Sequence, residues 1–204
     1  MMIKAKEKPI IFSTGLIPAI QNLKPNTWPP EPIDPGKPWK YMTRRVIKPQ
    51  PQRFFEVNEE PLYLYDVEWN LGSIYPKYQP GDILWVRETW GVPISLAGDI
   101  IYKADFVDRK APLADGEKWR PSIFMPKEAA RLWLEVKNVR VERLQNITAD
   151  DIRAEGTPDT PHDSNCLIAE RQSFIDFWDS INAKRGYPWK NNDWVWVYEF
   201  MRIE

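Results

Sequence analysis

The sequence has almost none of the residues that build disulfides, metal sites or histidine-dependent catalytic sites. It holds one cysteine, Cys166, and one histidine, His162, in 204 residues. A single cysteine excludes an intramolecular disulfide, and a single histidine excludes most metal sites and most serine or cysteine hydrolase arrangements. No further soft ligand completes a zinc site with His162 and Cys166, so we expect neither a metal nor another cofactor.

The chain also lacks a large charge of either sign and a long apolar run. Its formal net charge is -1, so a polyanion must be met by a local cluster of cations rather than by the whole surface. No apolar run approaches the ~18 residues of a membrane-spanning helix, and no charged-then-apolar leader is visible. We therefore expect a soluble cytoplasmic protein that does not bind membranes.

Tryptophan and proline are abundant, with 11 and 20 residues respectively. Tryptophan clusters stack on bases, but they more often fill small β-barrels, so we expect most of them in the core. The length suits one large domain, and nothing marks a second. We expect a single domain over residues 1–204, with insertions at 22–39, 52–78 and 157–166.

Apolar patterning predicts three strands and two helices. The strands are residues 83–90 after a Pro-Gly-Asp turn, an alternating stretch from 131 to 141 with a bulge near 137–138, and the closing stretch 194–203. Residues 147–156 predict a short helix because Thr148 and Asp151 have capping-box spacing and a glycine ends it. Residues 174–181 predict a longer amphipathic helix.

Two regions carry candidate binding residues. The adjacent Arg87 and Glu88 point to opposite faces of their strand, so one faces inward, where a charge is costly unless it is paired or functional. Residues 40–45 (KYMTRR) follow a proline-rich run that we expect to present them as a defined turn. In the interpretation without a functional role, Lys40, Arg44 and Arg45 are solvated charges and Thr43 begins a strand.

Several short sequence motifs, taken in their order along the chain, resemble the ASCH domain of the PUA-like group, and most closely its longer, phage-type members. The resemblance covers nearly the whole chain. It rests on the K-x-x-T-x-R spacing of Lys40, Thr43 and Arg45, on the predicted strand sequences GDILWV and WVRETW, on AEG at 154–156 and on WDSIN at 178–182. It implies an α+β fold: a PUA-like mixed β-barrel with a few short helices and one longer C-terminal helix. The chain departs from the family pattern because Gly36 is displaced and Trp39 precedes the lysine.

The resemblance implies an amidohydrolase that acts on an N4-acylated cytidine or a similar modified nucleoside. By position, Lys40, Thr43 and Glu155 take the catalytic roles. A lysine whose pKa is lowered by burial can serve as the base for a threonine nucleophile, so no histidine is required.

The alternative is an RNA- or nucleotide-binding module, with or without ribonuclease activity. In both cases the partner is a modified nucleoside or RNA. The substrate-binding candidates combine charge with stacking surfaces: Arg44, Arg45, Arg87, Glu88, Trp39, Tyr41 and Trp90. A third interpretation is a phage accessory protein with a vestigial pocket, in which Thr43 and Glu155 bond only to backbone.

Overall fold

A computed structural model describes residues 6–51, 54–57, 63–66, 72–96, 98–107, 109–156 and 167–203. The strands of these residues are β1 (Glu7–Ile11), β2 (Met42–Val46), β3 (Phe54–Val57), β4 (Tyr63–Asp66), β5 (Gly72–Ile74), β6 (Ile83–Arg87), β7 (Trp90–Gly91), β8 (Ile101–Tyr102), β9 (Trp133–Arg143) and β10 (Trp194–Arg202). The α-helices are α1 (Ile17–Gln21), α2 (Ala149–Ala154) and α3 (Leu167–Asn182). Short 3-10 helices lie at Thr14–Leu16, Ile94–Leu96, Lys103–Phe106, Ser122–Phe124, Lys127–Ala129, Leu144–Asn146, Ala183–Arg185 and Trp189–Asn191.

The main sheet has five strands in the order β1-β6-β9-β10-β2. β1 runs parallel to β6, and the other neighbours are antiparallel. β3, β4 and β5 form a separate three-stranded sheet, and β7 pairs with β8. The molecule is therefore a mixed α+β protein built on one mixed sheet, as the sequence predicts in coarse terms.

The two faces of the main sheet pack against different layers because side chains alternate along each strand. On β10, Trp196, Tyr198 and Phe200 join a core that includes α1 and β1, whereas Val195 and Val197 face the other side. There, α2 and α3 cover the sheet through residues such as Phe174 and Trp178. The long helix α3 confirms the predicted C-terminal helix.

The structure confirms the predicted bulge in the long strand and the predicted capping box of the short helix. Glu199 pairs with Asn138 and Phe200 pairs with Val136, so Lys137 is the extra residue of a bulge on β9. At α2, the Thr148 side chain accepts a hydrogen bond from the backbone N–H of Asp151, whose carboxylate accepts one from the backbone N–H of Thr148. This capping box fixes where α2 begins.

Two expectations of backbone shape need correction. No closed barrel is found among the described residues, because β1 and β2 remain the two edges of the main sheet. The turn expected over residues 40–45 ends early, because β2 begins at Met42 and pairs with β10. Thr43 therefore lies within a strand.

The proline-rich stretch before β2 is anchored to the domain by Asn22, which is buried. Its side-chain amide donates to the carbonyls of Asp34, Lys37 and Pro38 at 2.9, 3.2 and 3.2 Å. The side-chain oxygen of Asn22 accepts from the backbone N–H of Asp34 at 2.8 Å. One buried amide thus holds much of the stretch that the sequence marks as an insertion at 22–39.

The other two predicted insertions are less fully described. Residues 52–78 are described only in part, and residues 157–166 lie outside the described residues. The division into one domain with these insertions remains a prediction. Among the described helices, none combines the length and the apolar character needed to cross a bilayer.

Candidate functional site

β2 separates two charged sites because its neighbouring side chains point to opposite faces. Met42 and Arg44 face the layer formed by α2 and α3, whereas Thr43 and Arg45 face the layer that contains β1. Arg44 is 5 % exposed, and Arg45 is exposed to solvent. The two adjacent arginines therefore belong to different environments.

Lys40, just before β2, is completely buried. Its ammonium donates to the carbonyl of Met42 at 2.6 Å, to the carbonyl of Glu155 at 2.7 Å and to Oε2 of Glu155 at 2.9 Å. All three N–H donors of the ammonium are in use. Burial lowers the pKa of Lys40; the Glu155 carboxylate opposes this, and the nearby charges of Arg45 and Arg44 add to the lowering.

Gly156 allows this close contact between the end of α2 and Lys40. It has a positive φ of 62°, and a Cβ at this position would lie 2.7 Å from Cβ of Lys40 and 3.1 Å from Cβ of Ala19. The backbone N–H of Tyr41 donates to the carbonyl of Ala154 at 3.1 Å. Only a glycine fits here without displacing its neighbours.

Arg44 sits at the centre of a buried network of carboxylates. It donates to Glu142 at 2.9 Å, to Asp151 at 2.8 Å and to Oε1 of Glu155 at 3.3 Å. Burial opposes the charge of Arg44, but the carboxylates outweigh it and raise the pKa of the guanidinium.

The network continues through Arg140, which bonds to Asp151 at 3.1 Å and to Glu199. It therefore joins β2, β9, β10 and α2. Each charge within it has a partner of opposite sign, which makes it a structural element of the sheet.

A cavity of about 400 Å³ lies on the other side of β2. The two edge strands β1 and β2 both contribute to its wall, together with β10 and the segment before β6. The main sheet is thus curled, and the cavity occupies the gap between its edges. The lining consists of Pro9, Ile10, Ile11, Arg45, Val46, Lys48, Tyr75, Lys77, Tyr78, Arg87, Trp196 and Tyr198.

The polar lining of the cavity is cationic. Arg45, Lys48, Lys77 and Arg87 contribute four positive charges, and none of the described lining residues is acidic. Nε of Arg87 is buried without a hydrogen-bond partner among the described residues, while its guanidinium lies 4.5 Å from the centre of the Trp85 ring. Burial, followed by the charges of Arg45, Arg87 and Lys8, lowers the pKa of Lys77. An anion bound here would relieve that repulsion.

The aromatic lining divides into a buried part and an exposed part. Tyr78 and Tyr198 are 3 % and 1 % exposed, and their rings meet edge to face at 5.2 Å. The Tyr78 hydroxyl donates to the carbonyl of Pro9 at 2.8 Å, and burial raises its pKa to about 12. Tyr75, in contrast, is 54 % exposed. The buried rings form the wall, and Tyr75 borders the opening.

The buried ion pair and the cavity share one aromatic neighbour. Nζ of Lys40 and Cζ of Arg45 each lie 5.5 Å from the centre of the Phe12 ring. Thr43 is on the same face of β2 as Arg45 and pairs with Tyr198 of the cavity wall. Among the described residues, however, no hydrogen bond joins Thr43 to Lys40 or to Glu155.

The structure thus brings together only some of the predicted site residues. Of the three proposed catalytic residues, Lys40 and Glu155 are in contact. Of the binding candidates, Arg45 and Arg87 line the cavity, and Arg44 belongs to the ion network.

The other binding candidates lie away from the cavity lining. Glu88 is buried, but it lies just beyond β6, which ends at Arg87 rather than at the predicted residue 90. Both of its oxygens accept from Arg131, at 2.9 and 2.8 Å. Trp39 and Tyr41 pack on each other and against the core, and Trp90 is buried in a separate cluster. His162 and Cys166 lie outside the described residues, so their predicted lack of a metal stays a prediction.

Six cationic or aromatic lining residues were not predicted from the sequence: Lys48, Tyr75, Lys77, Tyr78, Trp196 and Tyr198. Trp196 and Tyr198 could have been found, since the alternation of β10 places both on one face opposite Thr43 and Arg45. No sequence signal marks Tyr75 to Tyr78, because that segment precedes β6 without regular structure of its own.

Three comparisons with known proteins bear on this site. No protein-family model, no curated protein and no solved structure matches the chain significantly. Any functional assignment therefore rests on the short sequence motifs and on the geometry of the cavity.

Proposed function

We propose that this protein is an ASCH-like member of the PUA-like group that binds a nucleotide in the cavity between β1 and β2. The observation that carries the proposal is the combination of four cationic and four aromatic side chains around one cavity without an acidic lining residue. Phosphate is met by arginine and lysine, and a base is met by aromatic rings. Those are the two parts of a nucleotide.

The size of the cavity favours a single nucleotide over a strand of several. Small-molecule pockets span roughly 300–1,000 Å³, and this cavity of about 400 Å³ lies near the lower end. A strand-binding surface would instead need a continuous groove. A nucleotide at the end of an RNA remains compatible with the same cavity.

Positive charge is concentrated locally around the cavity. With a net charge of -1, the protein does not attract polyanions as a whole, but the four cations around the cavity create a positive region. Among the described residues, the side chains of Lys77 and Arg87 have no hydrogen-bond acceptor. They are available to a phosphate without first breaking a hydrogen bond to a described residue.

Titration with cytidine 5′-monophosphate tests this proposal, with tryptophan fluorescence as the signal because Trp196 lines the cavity. We expect saturable binding that weakens between 50 and 200 mM salt. Arg87→Gln should raise the Kd about tenfold, since a charge-assisted hydrogen bond contributes ~1.5–3 kcal/mol. Arg109→Gln is the matched control, because Arg109 lies outside the cavity and bonds to the carbonyl of Asp105.

Absence of saturable binding, or an equal effect of both substitutions, would contradict the proposal. Binding that needs an RNA of several nucleotides would move the assignment to an RNA-binding surface. Cleavage of that RNA during the titration would support the ribonuclease form of the same alternative.

The second candidate function is hydrolysis of an N4-acylated cytidine. It is favoured by the buried contact between Lys40 and Glu155 and by the lowered pKa of Lys40. In this proposal, Thr43 Oγ1 attacks the acyl carbon and Lys40, in its neutral form, accepts the hydroxyl proton. The C–N bond breaks, the proton passes to the leaving amino group of cytidine, and water hydrolyses the threonine ester.

This reaction needs a change from the observed arrangement, since the ammonium of Lys40 uses all of its donors. Absorbance of N4-acetylcytidine tests it. We expect turnover by the wild type and none by Thr43→Val, which removes the hydroxyl while keeping the shape of the side chain. A wild type without turnover would exclude the hydrolase candidate and leave nucleotide binding untouched.

A further inference from the structure

Tyr75 differs from the other three aromatic residues of the cavity in what it offers a ligand. It is 54 % exposed, whereas Tyr78, Trp196 and Tyr198 are each less than one-tenth exposed. The Tyr78 hydroxyl bonds to Pro9, and the Tyr198 hydroxyl accepts from the backbone N–H of Lys77 at 3.2 Å. Those two rings are committed to the wall, whereas Tyr75 has an accessible ring.

The Tyr75 ring also has support from behind. Its centre lies 5.2 Å from the centre of the Tyr63 ring, with 37° between the two planes. Tyr63 belongs to β4, which pairs with β5 immediately before Tyr75. A supported aromatic ring loses less freedom when a base stacks on it than a free one does.

The cationic part of the cavity lining is suited to a phosphate. Arg87 has a buried Nε without a partner among the described residues, and it is held against the Trp85 ring. Lys77, two residues after Tyr75, has a lowered pKa because burial and other cations disfavour its charge. Unpaired donors that repel one another form a site for an anion.

We propose that Tyr75 is the base-stacking residue of the cavity, so that a nucleoside phosphate binds with its base on Tyr75 at the opening and its phosphate on Arg87 and Lys77. This inference rests on the proposed nucleotide function and adds an orientation to it. It assigns the ligand class as an aromatic base joined to a phosphate. A sugar phosphate without a base lacks the contact with Tyr75.

The test compares two ligands, cytidine 5′-monophosphate and ribose 5-phosphate, in the wild type, Tyr75→Leu and Tyr75→Phe. Stacking on an aromatic side chain contributes much of the affinity for a base, so Tyr75→Leu should raise the Kd of the nucleotide about tenfold. The Kd of ribose 5-phosphate should change less than about twofold. Tyr75→Phe keeps the ring and should restore nucleotide binding, while Arg87→Gln should weaken both ligands.

The outcomes separate the two proposals. If the wild type binds both ligands and Tyr75→Leu weakens them equally, Tyr75 has only a structural role and the orientation is wrong, although the nucleotide function stands. The orientation is also wrong if Tyr75→Leu leaves the nucleotide Kd unchanged. If the wild type binds neither ligand, the proposed function fails and this inference fails with it.

Discussion

Arg44 and Arg45 are neighbours in sequence and opposites in environment. Arg44 is 5 % exposed and bonds to three carboxylates, those of Glu142, Asp151 and Glu155. Arg45 is exposed, and its only hydrogen bond among the described residues is the one that it donates to the carbonyl of Ile11, at 2.8 Å. A single residue step along β2 thus separates a charge within an ion network from a charge without an ion-pair partner among the described residues.

The same contrast extends to the whole of each site. In the ion network, every buried charge has a partner, so removing one partner leaves an uncompensated charge in a low-dielectric region. Around the cavity, charges of one sign face each other, so removing one relieves repulsion. Substitutions in the network should therefore affect stability, and substitutions in the cavity should affect binding.

Loss of Glu155 is expected to have the largest effect. Glu155→Ala removes the shared partner of Lys40 and Arg44, both of which are buried. We expect the free energy of unfolding to fall by about 3–5 kcal/mol, measured by urea denaturation. Glu31→Ala is the control, because its pair with Lys24 is exposed and should contribute less than about 1 kcal/mol. Similar values for the two variants would show that the network is not a stability element.

Gly156→Ala tests the close approach that forms the network. The added Cβ meets Lys40 and Ala19, and φ stays positive. We expect unfolding to become easier by about 2–4 kcal/mol, combining left-handed strain with overpacking. Gly186→Ala shares a positive φ but meets no atom within 4 Å, so it should cost about 1 kcal/mol. Equal melting temperatures for the two variants would contradict the steric argument.

Separate substitutions of the two arginines distinguish the role of Arg44 from that of Arg45. Arg44→Met should destabilise the protein by several kcal/mol because three carboxylates each lose one of their partners. Arg45→Met should change the unfolding free energy by less than about 1 kcal/mol while raising the Kd of cytidine 5′-monophosphate about tenfold. Urea denaturation and fluorescence titration of both variants give the four values. An Arg45→Met protein as unstable as Arg44→Met would remove the distinction between the sites.

The smallest effect concerns the alkaline side of the stability curve. Burial raises the pKa of Tyr78 from 10.0 to about 12, so the unfolded chain loses this proton first as pH rises. The contribution of Tyr78 is therefore constant below pH 10 and is lost between pH 10 and 12. Between pH 10 and pH 11, we expect the free energy of unfolding to fall by about 1 kcal/mol less in Tyr78→Phe than in the wild type.

The wild type and Tyr78→Phe must be measured side by side because the titration of Lys40 changes the stability in the opposite direction as pH rises. Its lowered pKa makes stability rise with pH until the unfolded lysine also loses its proton. Both proteins carry this contribution, so it cancels in the difference. Parallel curves for the wild type and Tyr78→Phe would contradict the raised pKa of Tyr78.

The sequence predicts those parts of the fold that depend on neighbouring residues. The capping box at Thr148, the bulge at Lys137 and the apolar stripe of α3 are local patterns, and the structure confirms each of them. The closure of the sheet into a barrel is not local. It depends on where the edges β1 and β2 come to lie, and no residue of either strand encodes that distance.

The site is predictable to the same extent. Strand alternation places Arg44 and Arg45 on opposite faces, but it does not show which face holds the carboxylates, because these come from β9 and α2, about 100 residues later. The family resemblance implies one catalytic site for Lys40, Thr43 and Glu155, but no local pattern predicts the contact between Lys40 and Glu155. Tyr75 and Lys77 enter the cavity from a segment that the sequence presents only as an insertion.

Lys40 and Arg45 both lie next to the Phe12 ring, and the closeness of these two cations affects the uptake of a proton by Lys40. The charge of Arg45 is one of those that lower the pKa of Lys40. In the proposed nucleotide complex, a phosphate that neutralises Arg45 would remove that influence, so Lys40 would hold its proton more tightly when the cavity is filled. By thermodynamic reciprocity, a protonated Lys40 would strengthen the binding of the anion. The proposed function therefore links ligand affinity to the protonation of a fully buried lysine across a single aromatic ring.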